Sequence, residues 1–266
     1  MWIAILEVTN GIHAVNDLFQ VQDLARRLGM SSPFAALVRF LQEGEFTAAG
    51  IDAPFSLPKS HMPAEGYREL LKHVSMMECE RRPFPSGEGL LSQLIQLSST
   101  ELPHPRGRKI YRETEHGWIK QGVNVRSTTW NGPRGGAAFT AAALYLLGQV
   151  ELPIWPWAAN PAALRKTLVE TFPAAQLKTW GLPCRGYNGV REDAKRVRQM
   201  IVQGIHEQTG VIFSDRIHTR LLDSADALDA VICALSAAAL GTSCLESMPS
   251  ATADVEVGLL CAKKQH

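Results

Sequence analysis

Apolar and polar positions first alternate and then switch period along the opening of the chain. "WIAILEV", then Asn10-Gly11, then "IHAV" predicts a hairpin, because Asn-Gly supplies the two positive-φ residues of a tight type I′ turn. The period then becomes helical. In "SSPFAALVRFLQEG", Phe34, Leu37, Val38 and Leu41 recur on one face, Ser32 stands at the N-cap, Pro33 opens the first turn and Gly44 follows the last. "FTAAGID" is a short strand again. Hairpin, helix and strand in this order predict an α/β fold with at least one parallel crossover.

Residues 59–110 depart from that rhythm. "AEGYRELLKHVSMMECE" and "GEGLLSQLIQLSS" are helical patterns divided by "RRPFPSG", and "ELPHPRGRKIYRETE" is extended and basic. The segment is expected to be a helical and extended insertion within one domain spanning 1–266. Beyond it, "GGAAFTAAALYLLGQ" is a helix, while "LPIWPW" and "TLVETFP" are strand-like. "VREDAKRVRQMIVQGIHEQTG" is an amphipathic helix, with Val197, Met200, Ile201 and Ile205 expected inside and Arg191, Lys195 and Arg198 on a polar face. "SADALDAVICALSAAALG" is the last long helix, and "EVGLLCA" is a candidate terminal strand.

Three places along this pattern carry acids where a core element ends. Asp52 closes the apolar run Ala48–Ile51, and Pro54 and Pro58 forbid a simple continuation. Glu170 lies inside "LVETF", a strand pattern that Pro173 stops. A carboxylate there either points to water from the rim or faces a ligand, since burying it unpaired is costly. Asp226 and Asp229 are three apart and share a helix face. An acid in a first turn also complements the helix dipole without any further role. Asp229 is one turn deeper, beside the apolar stripe. Taken together, two strand-end acids and a helical pair are the oxygen donors a hard divalent cation requires. Mg²⁺ or Mn²⁺ keeps several waters, so few protein carboxylates suffice, and such ions can activate a water against a phosphodiester.

Composition narrows the setting. The 266 residues carry a formal net charge of +1, which excludes a strongly basic coat while allowing a local basic patch. Five scattered cysteines without a CxxC pair argue against a disulfide framework or zinc site and fit a reducing cytoplasm. No apolar run is long and charge-free enough to cross a bilayer, so a soluble protein without a membrane partner is expected. Arg106, Arg108, Lys109 and Arg112 form a basic run that is either solvated surface or a phosphate track. "GPRGG" lacks the Lys-Ser/Thr ending of a phosphate loop, and "HEQTG" lacks the second histidine of a zinc protease. Trp155 and Trp157 flank Pro156 and read most simply as packing residues.

"GIDAPFSLP", "YRETE", "IWPW", "VETFPAAQLKTWGLP" and "SADALDAVICALSA" resemble, in this order, the motifs of a family of predicted nucleases catalogued as domain of unknown function 429. The resemblance implies an RNase H-like fold, a mixed five-stranded sheet flanked by helices. It further implies that Asp52, Glu170, Asp226 and Asp229 are catalytic, with Asp52, Glu170 and Asp229 holding Mg²⁺ or Mn²⁺. Arg112 and Glu115 occupy its Arg-x-Thr-acid motif. That arginine would hold a phosphate through its planar fork, with Glu115, Arg108 and Lys109 beside it on the substrate side. The implied partner is a nucleic acid of unspecified type.

One departure bears on activity. RNase H-like nucleases carry an aspartate on their first strand, whereas here Met1 falls where the second strand should begin and Glu7 is the only acid in the opening strand. Either the true start lies upstream, or a central strand and a metal ligand are lost; for the sequence as it stands, a mixed sheet lacking its usual first strand is expected. Two functions follow: a Mg²⁺- or Mn²⁺-dependent nuclease, or a catalytically inactive domain of the same fold that binds nucleic acid or protein. A kinase or phosphatase of the related ATP-binding fold would need paired glycine-rich phosphate hairpins, and the sequence has none.

Overall fold

A computed structural model describes residues 1–79, 82–97, 109–157 and 165–240, together with strands 245–247 and 260–262. The chain opens with the expected hairpin, β1 (Trp2–Thr9) against β2 (Ile12–Gln20), antiparallel and with a register shift between Ile5 and Leu6. Asn10 and Gly11 hold positive φ of 53° and 79°, as a type I′ turn demands. Helices α1 (Val21–Arg27) and α2 (Pro33–Glu43) follow, and the Ser32 hydroxyl accepts the Ala35 N–H at 3.2 Å to cap α2.

Strand β3 (Ala48–Ile51) pairs in parallel with β4 (Thr167–Glu170), so that Ile51 stands opposite Glu170. Between them run α3 (Tyr67–Ser75), α4 (Gly87–Leu97), α5 (Glu113–Lys120) and α6 (Ala137–Val150). Both α3 and α4, which lie in the described part of segment 59–110, pack on α6. After β4 come α7 (Pro173–Thr179), α8 (Glu192–Thr209), α9 (Asp215–Asp223) and α10 (Ala225–Ala238), then the antiparallel pair β5 (Leu245–Ser247) and β6 (Leu260–Ala262).

The architecture is α/β, but among the described residues the strands do not join into one mixed sheet. Among the described residues the ladders are three separate pairs, β1–β2, β3–β4 and β5–β6, extended by single bridges Ala14–Ile212 and Ile154–Leu168. Helix α10 lies against both β1 and β3 and covers the interval between the first two pairs. It approaches β3 very closely: a Cβ on Gly50 would fall 2.3 Å from the Cys233 carbonyl oxygen and 2.9 Å from Thr171 Cγ2. Only glycine allows that contact.

Two cores flank this junction. One gathers Leu37, Phe55, Leu70, Leu90 and Leu144 under β3 and β4; the other gathers Leu18, Trp180, Ile201, Leu221 and Leu228 around α10. Helix α8 departs from its expected faces. Met200 is exposed and Arg198 is buried, because the Arg198 guanidinium donates to the carbonyls of Tyr187 (2.5 Å), Gly189 (2.9 Å) and Leu222 (2.7 Å). Those bonds supply the partners a buried cation requires. The expected "LPIWPW" strand contributes only the bridge at Ile154, and Trp157 stacks on Tyr67 at 3.6 Å between ring centres.

Candidate functional site

The parallel register of β3 and β4 brings two of the predicted acids to one end of a ladder. Glu170 is the last residue of β4, and Asp52 follows Ile51, its partner in β3. Beyond Asp52 the chain is pinned rather than loose. Phe55 and Leu57 are buried in the core, and the Phe55 N–H donates to Glu170 Oε2 at 2.8 Å. The two prolines therefore turn the chain away from the strand axis while the core holds it there.

Glu170 and Arg112 form a buried pair, with 1% and 2% of their surfaces accessible. Arg112 donates through both terminal nitrogens to Glu170, at 2.6 Å and 2.8 Å, and at 3.2 Å to the Ser56 hydroxyl. Its Nε donates to Glu115 Oε1 at 3.1 Å, and its backbone N–H to Glu115 Oε2 at 2.8 Å. Burial opposes the guanidinium charge, but Glu170 and Glu115 overcome this and raise its pKa. Burial raises the Glu115 carboxyl, and Arg112 counters it. This geometry corrects the expectation that Arg112 and Glu115 face substrate: they are spent on one another and on Glu170. Both oxygens of Glu170 are likewise engaged, which makes it the anchor of segment 52–57 rather than an open ligand.

The remaining acids meet across the β3–α10 contact. Ser224 caps α10, its hydroxyl accepting the Ala227 N–H at 3.2 Å. Asp226 lies in the first turn, exposed, and Asp229 lies half-buried one turn on. Burial, then the charges of Asp52 and Asp226, push the Asp229 carboxyl up to about 8 against the Tyr187 hydrogen bond, which lowers it. Desolvation, Glu170 and Asp226 push Asp52 up to about 6, while Arg126 pulls it down. Asp52 as a residue keeps an exposed surface, which tempers the desolvation contribution and leaves the neighbouring charges as the firmer cause. Asp226 thus acts on both Asp52 and Asp229, and Asp52 on Asp229, and no ion pair among the described residues neutralises this acidic cluster.

These carboxylates have the hard oxygen donors of a Mg²⁺ or Mn²⁺ site. Among the described residues, however, no three His, Cys, Asp or Glu side chains are grouped so as to hold a metal ion. The donors fit an ion bound by one or two carboxylates that retains most of its waters. Of the basic run, Lys109 stands 5.5 Å from the Trp130 ring centre, and Arg108 lies outside the described residues.

Two residues near the cluster carry no sign of it in the sequence. Tyr187 donates its hydroxyl to Asp229 Oδ1 at 2.9 Å, and burial together with Asp229 raises the phenol's own pKa. Arg126 is exposed, lies 5.3 Å from the Phe139 ring centre and acts electrostatically on Asp52. Neither belongs to a recognisable motif, and only the fold brings them here. Helices long and apolar enough to cross a membrane are absent among the described residues.

Comparisons with curated proteins and with solved structures gave no match. A family profile described as "Protein of unknown function (DUF429)" matches residues 2–254, nearly the whole chain. The chain therefore belongs to this family of proteins of unknown function.

Proposed function

We propose that this protein is a Mg²⁺- or Mn²⁺-dependent phosphodiesterase acting on nucleic acid, built on an RNase H-like arrangement. The observation that carries the reading is the close packing of β3, which runs into Asp52, on α10, which bears Asp226 and Asp229, with Asp52 and Asp226 both raising the Asp229 carboxyl after burial. An acid whose pKa is raised by neighbouring like charges gains most from a shared cation. Asp52 and Asp229 would hold the ion, with Asp226 at the rim. When bound, the ion would supply an activated water and charge stabilisation on the phosphodiester.

The chain's own residues have distinct tasks in this reading. Glu170 and Arg112 fix the turn after β3, and so fix where Asp52 stands. Tyr187 orients Asp229 through one carboxylate oxygen and leaves the other to the ion. Arg126, rather than Arg112, offers an accessible guanidinium to a phosphate. Its fork is suited to two parallel hydrogen bonds.

Calorimetry of Mn²⁺ binding tests the reading whatever the substrate. Saturable binding by the unmodified chain, lost in Asp229→Asn and in Asp52→Asn, is the expected result. Absence of binding by the unmodified chain would overturn the metal-dependent reading. A second reading is favoured by two observations: Glu170 is already neutralised by Arg112, and no three-ligand group occurs among the described residues. It is a catalytically inactive domain that binds nucleic acid or a protein partner. Nucleic-acid binding that is indifferent to Mn²⁺ and unaccompanied by cleavage would support it.

A further inference from the structure

Away from the acidic cluster, four arginines from two helices converge on one cavity. It measures about 330 Å³ and is lined by Arg26, Arg27, Arg216 and Arg220, with Phe19 and Asp23 completing its walls. Arg216 and Arg220 are four apart on α9 and so share a face. Arg26 and Arg27 end α1, where the helix dipole favours cations.

Most of these side chains are held in place. Arg27 lies 4.3 Å from the Phe19 ring centre and pairs with Asp17 at 3.0 Å. Arg220 donates to the Leu18 carbonyl and stands 6.0 Å from the Trp2 ring centre. Arg26 pairs with Asp23. Arg216 is exposed and makes no hydrogen bond, ion pair or ring contact among the described residues.

The charges do not balance. Four guanidiniums face Asp23, with Asp17 beside Arg27, in a chain whose formal net charge is only +1. Gathering like charges costs Coulomb energy that a bound anion would relieve. Planar guanidiniums match phosphate oxygens in paired hydrogen bonds. The volume sits at the low end of the roughly 300–1,000 Å³ typical of small-ligand pockets, enough for a compact head group. We propose that this cavity between α1 and α9 is an anion site for a phosphate monoester or diphosphate group. None of its lining residues belongs to the acidic cluster, so the site is independent of the function proposed above.

The test is titration calorimetry of the full chain with inorganic pyrophosphate, in EDTA so that no metal at the acidic cluster contributes. Saturable one-to-one binding is expected, weakened about tenfold or more by Arg216→Ala and abolished by Arg216→Glu. Arg216 has no structural bond to lose, so both variants should fold, which circular dichroism would verify. Absence of saturable binding by the unmodified chain, or equal binding by Arg216→Glu, would overturn the proposal. Displacement of pyrophosphate by a 5′-phosphorylated trinucleotide, and not by its 5′-hydroxyl counterpart, would support the site and assign the phosphate to a strand end. Displacement by neither, with pyrophosphate binding intact, would support a free phosphorylated small molecule.

Discussion

Tyr187 donates its hydroxyl to Oδ1 of Asp229 at 2.9 Å, joining a loop to the acid on α10. The loop is itself held, because buried Arg198 donates to the Tyr187 and Gly189 carbonyls. The bond favours the ionised carboxylate and opposes the upward push from Asp52 and Asp226. Tyr187→Phe should therefore raise the Asp229 pKa further and move the onset of Mn²⁺ binding to higher pH. Stability should fall by only about 1 kcal/mol, the net worth of one hydrogen bond. Titrating Mn²⁺ binding across pH 6 to 9 in both proteins checks this, and an unchanged onset would remove Tyr187 from the site.

Stability without metal should depend on pH through the same acids. Burial and neighbouring acids push both carboxyls above their ordinary value of 3.8, Asp52 up to about 6 and Asp229 up to about 8. A raised acid pKa means that the folded state binds the proton more tightly than the unfolded chain. Its contribution to stability is thus full below pH 4 and is lost as pH rises through 6 and then 8. Asp229→Asn should flatten the upper part of this decline and raise the melting temperature at pH 8, by the equivalent of roughly 2–4 kcal/mol. Thermal melts of both proteins from pH 5 to 9 read the difference directly. Saturating Mn²⁺ should reverse the decline in the unmodified chain alone.

Breaking the Arg112–Glu170 pair should act on folding before it acts on metal binding. Removing one partner of a buried ion pair leaves the other uncompensated, typically at a cost of about 3–5 kcal/mol. Arg112→Met should show that loss in denaturant melts, and Arg112→Met combined with Glu170→Gln should recover part of it. If Glu170 were an open metal ligand instead, Glu170→Gln would abolish Mn²⁺ binding at near-normal stability.

These relationships mark what the sequence could and could not disclose. Patterns closed within a few residues were legible: the Asn10-Gly11 turn, the Ser32 cap and the Asp226–Asp229 spacing all follow from local stereochemistry. The strand-end positions of Asp52 and Glu170 were legible too, because Pro54 and Pro173 bound their apolar runs. Partners distant along the chain were not. Arg112 reads as a free cation until β4 delivers Glu170, 58 positions on, to its fork. Arg198 reads as a polar-face residue until two carbonyls of the loop before α8 and one from the last turn of α9 close around it. A helical period records where apolar residues lie; it carries no mark of a charge whose partners come from elsewhere.

Arg126 should affect substrate more than metal. It is exposed and held against Phe139, so Arg126→Ala should leave the fold unchanged and should touch Mn²⁺ binding only through the loss of its pull on the Asp52 carboxyl. Binding of single-stranded oligonucleotides should weaken by about tenfold, the scale of one charge-assisted phosphate contact. Arg126→Lys should recover only part of the affinity, because an ammonium keeps the charge but lacks the planar fork. Fluorescence anisotropy with Ca²⁺ in place of Mg²⁺ measures binding separately from cleavage. Equal affinity of all three proteins would exclude Arg126 from the substrate surface.

The closest approach in the site offers the most direct test of its geometry. Gly50 lets β3 come so near α10 that a Cβ would fall 2.3 Å from the Cys233 carbonyl oxygen, and the opposing atom is helix backbone that cannot rotate aside. Gly50→Ala must therefore push α10 and β3 apart, at a cost of roughly 1–3 kcal/mol, as for other overpacked contacts. Because Asp229 rides on α10 and Asp52 on the end of β3, the same displacement separates the two carboxylates. Their repulsion should weaken, so Asp229 should titrate closer to its ordinary value and the decline in stability with rising pH should become shallower. Mn²⁺ should bind less tightly, although no acid has been altered. Calorimetry at pH 8 and melts from pH 5 to 9 would record the two effects together. Loss of stability with unchanged Mn²⁺ affinity would mean that the ion does not need both carboxylates.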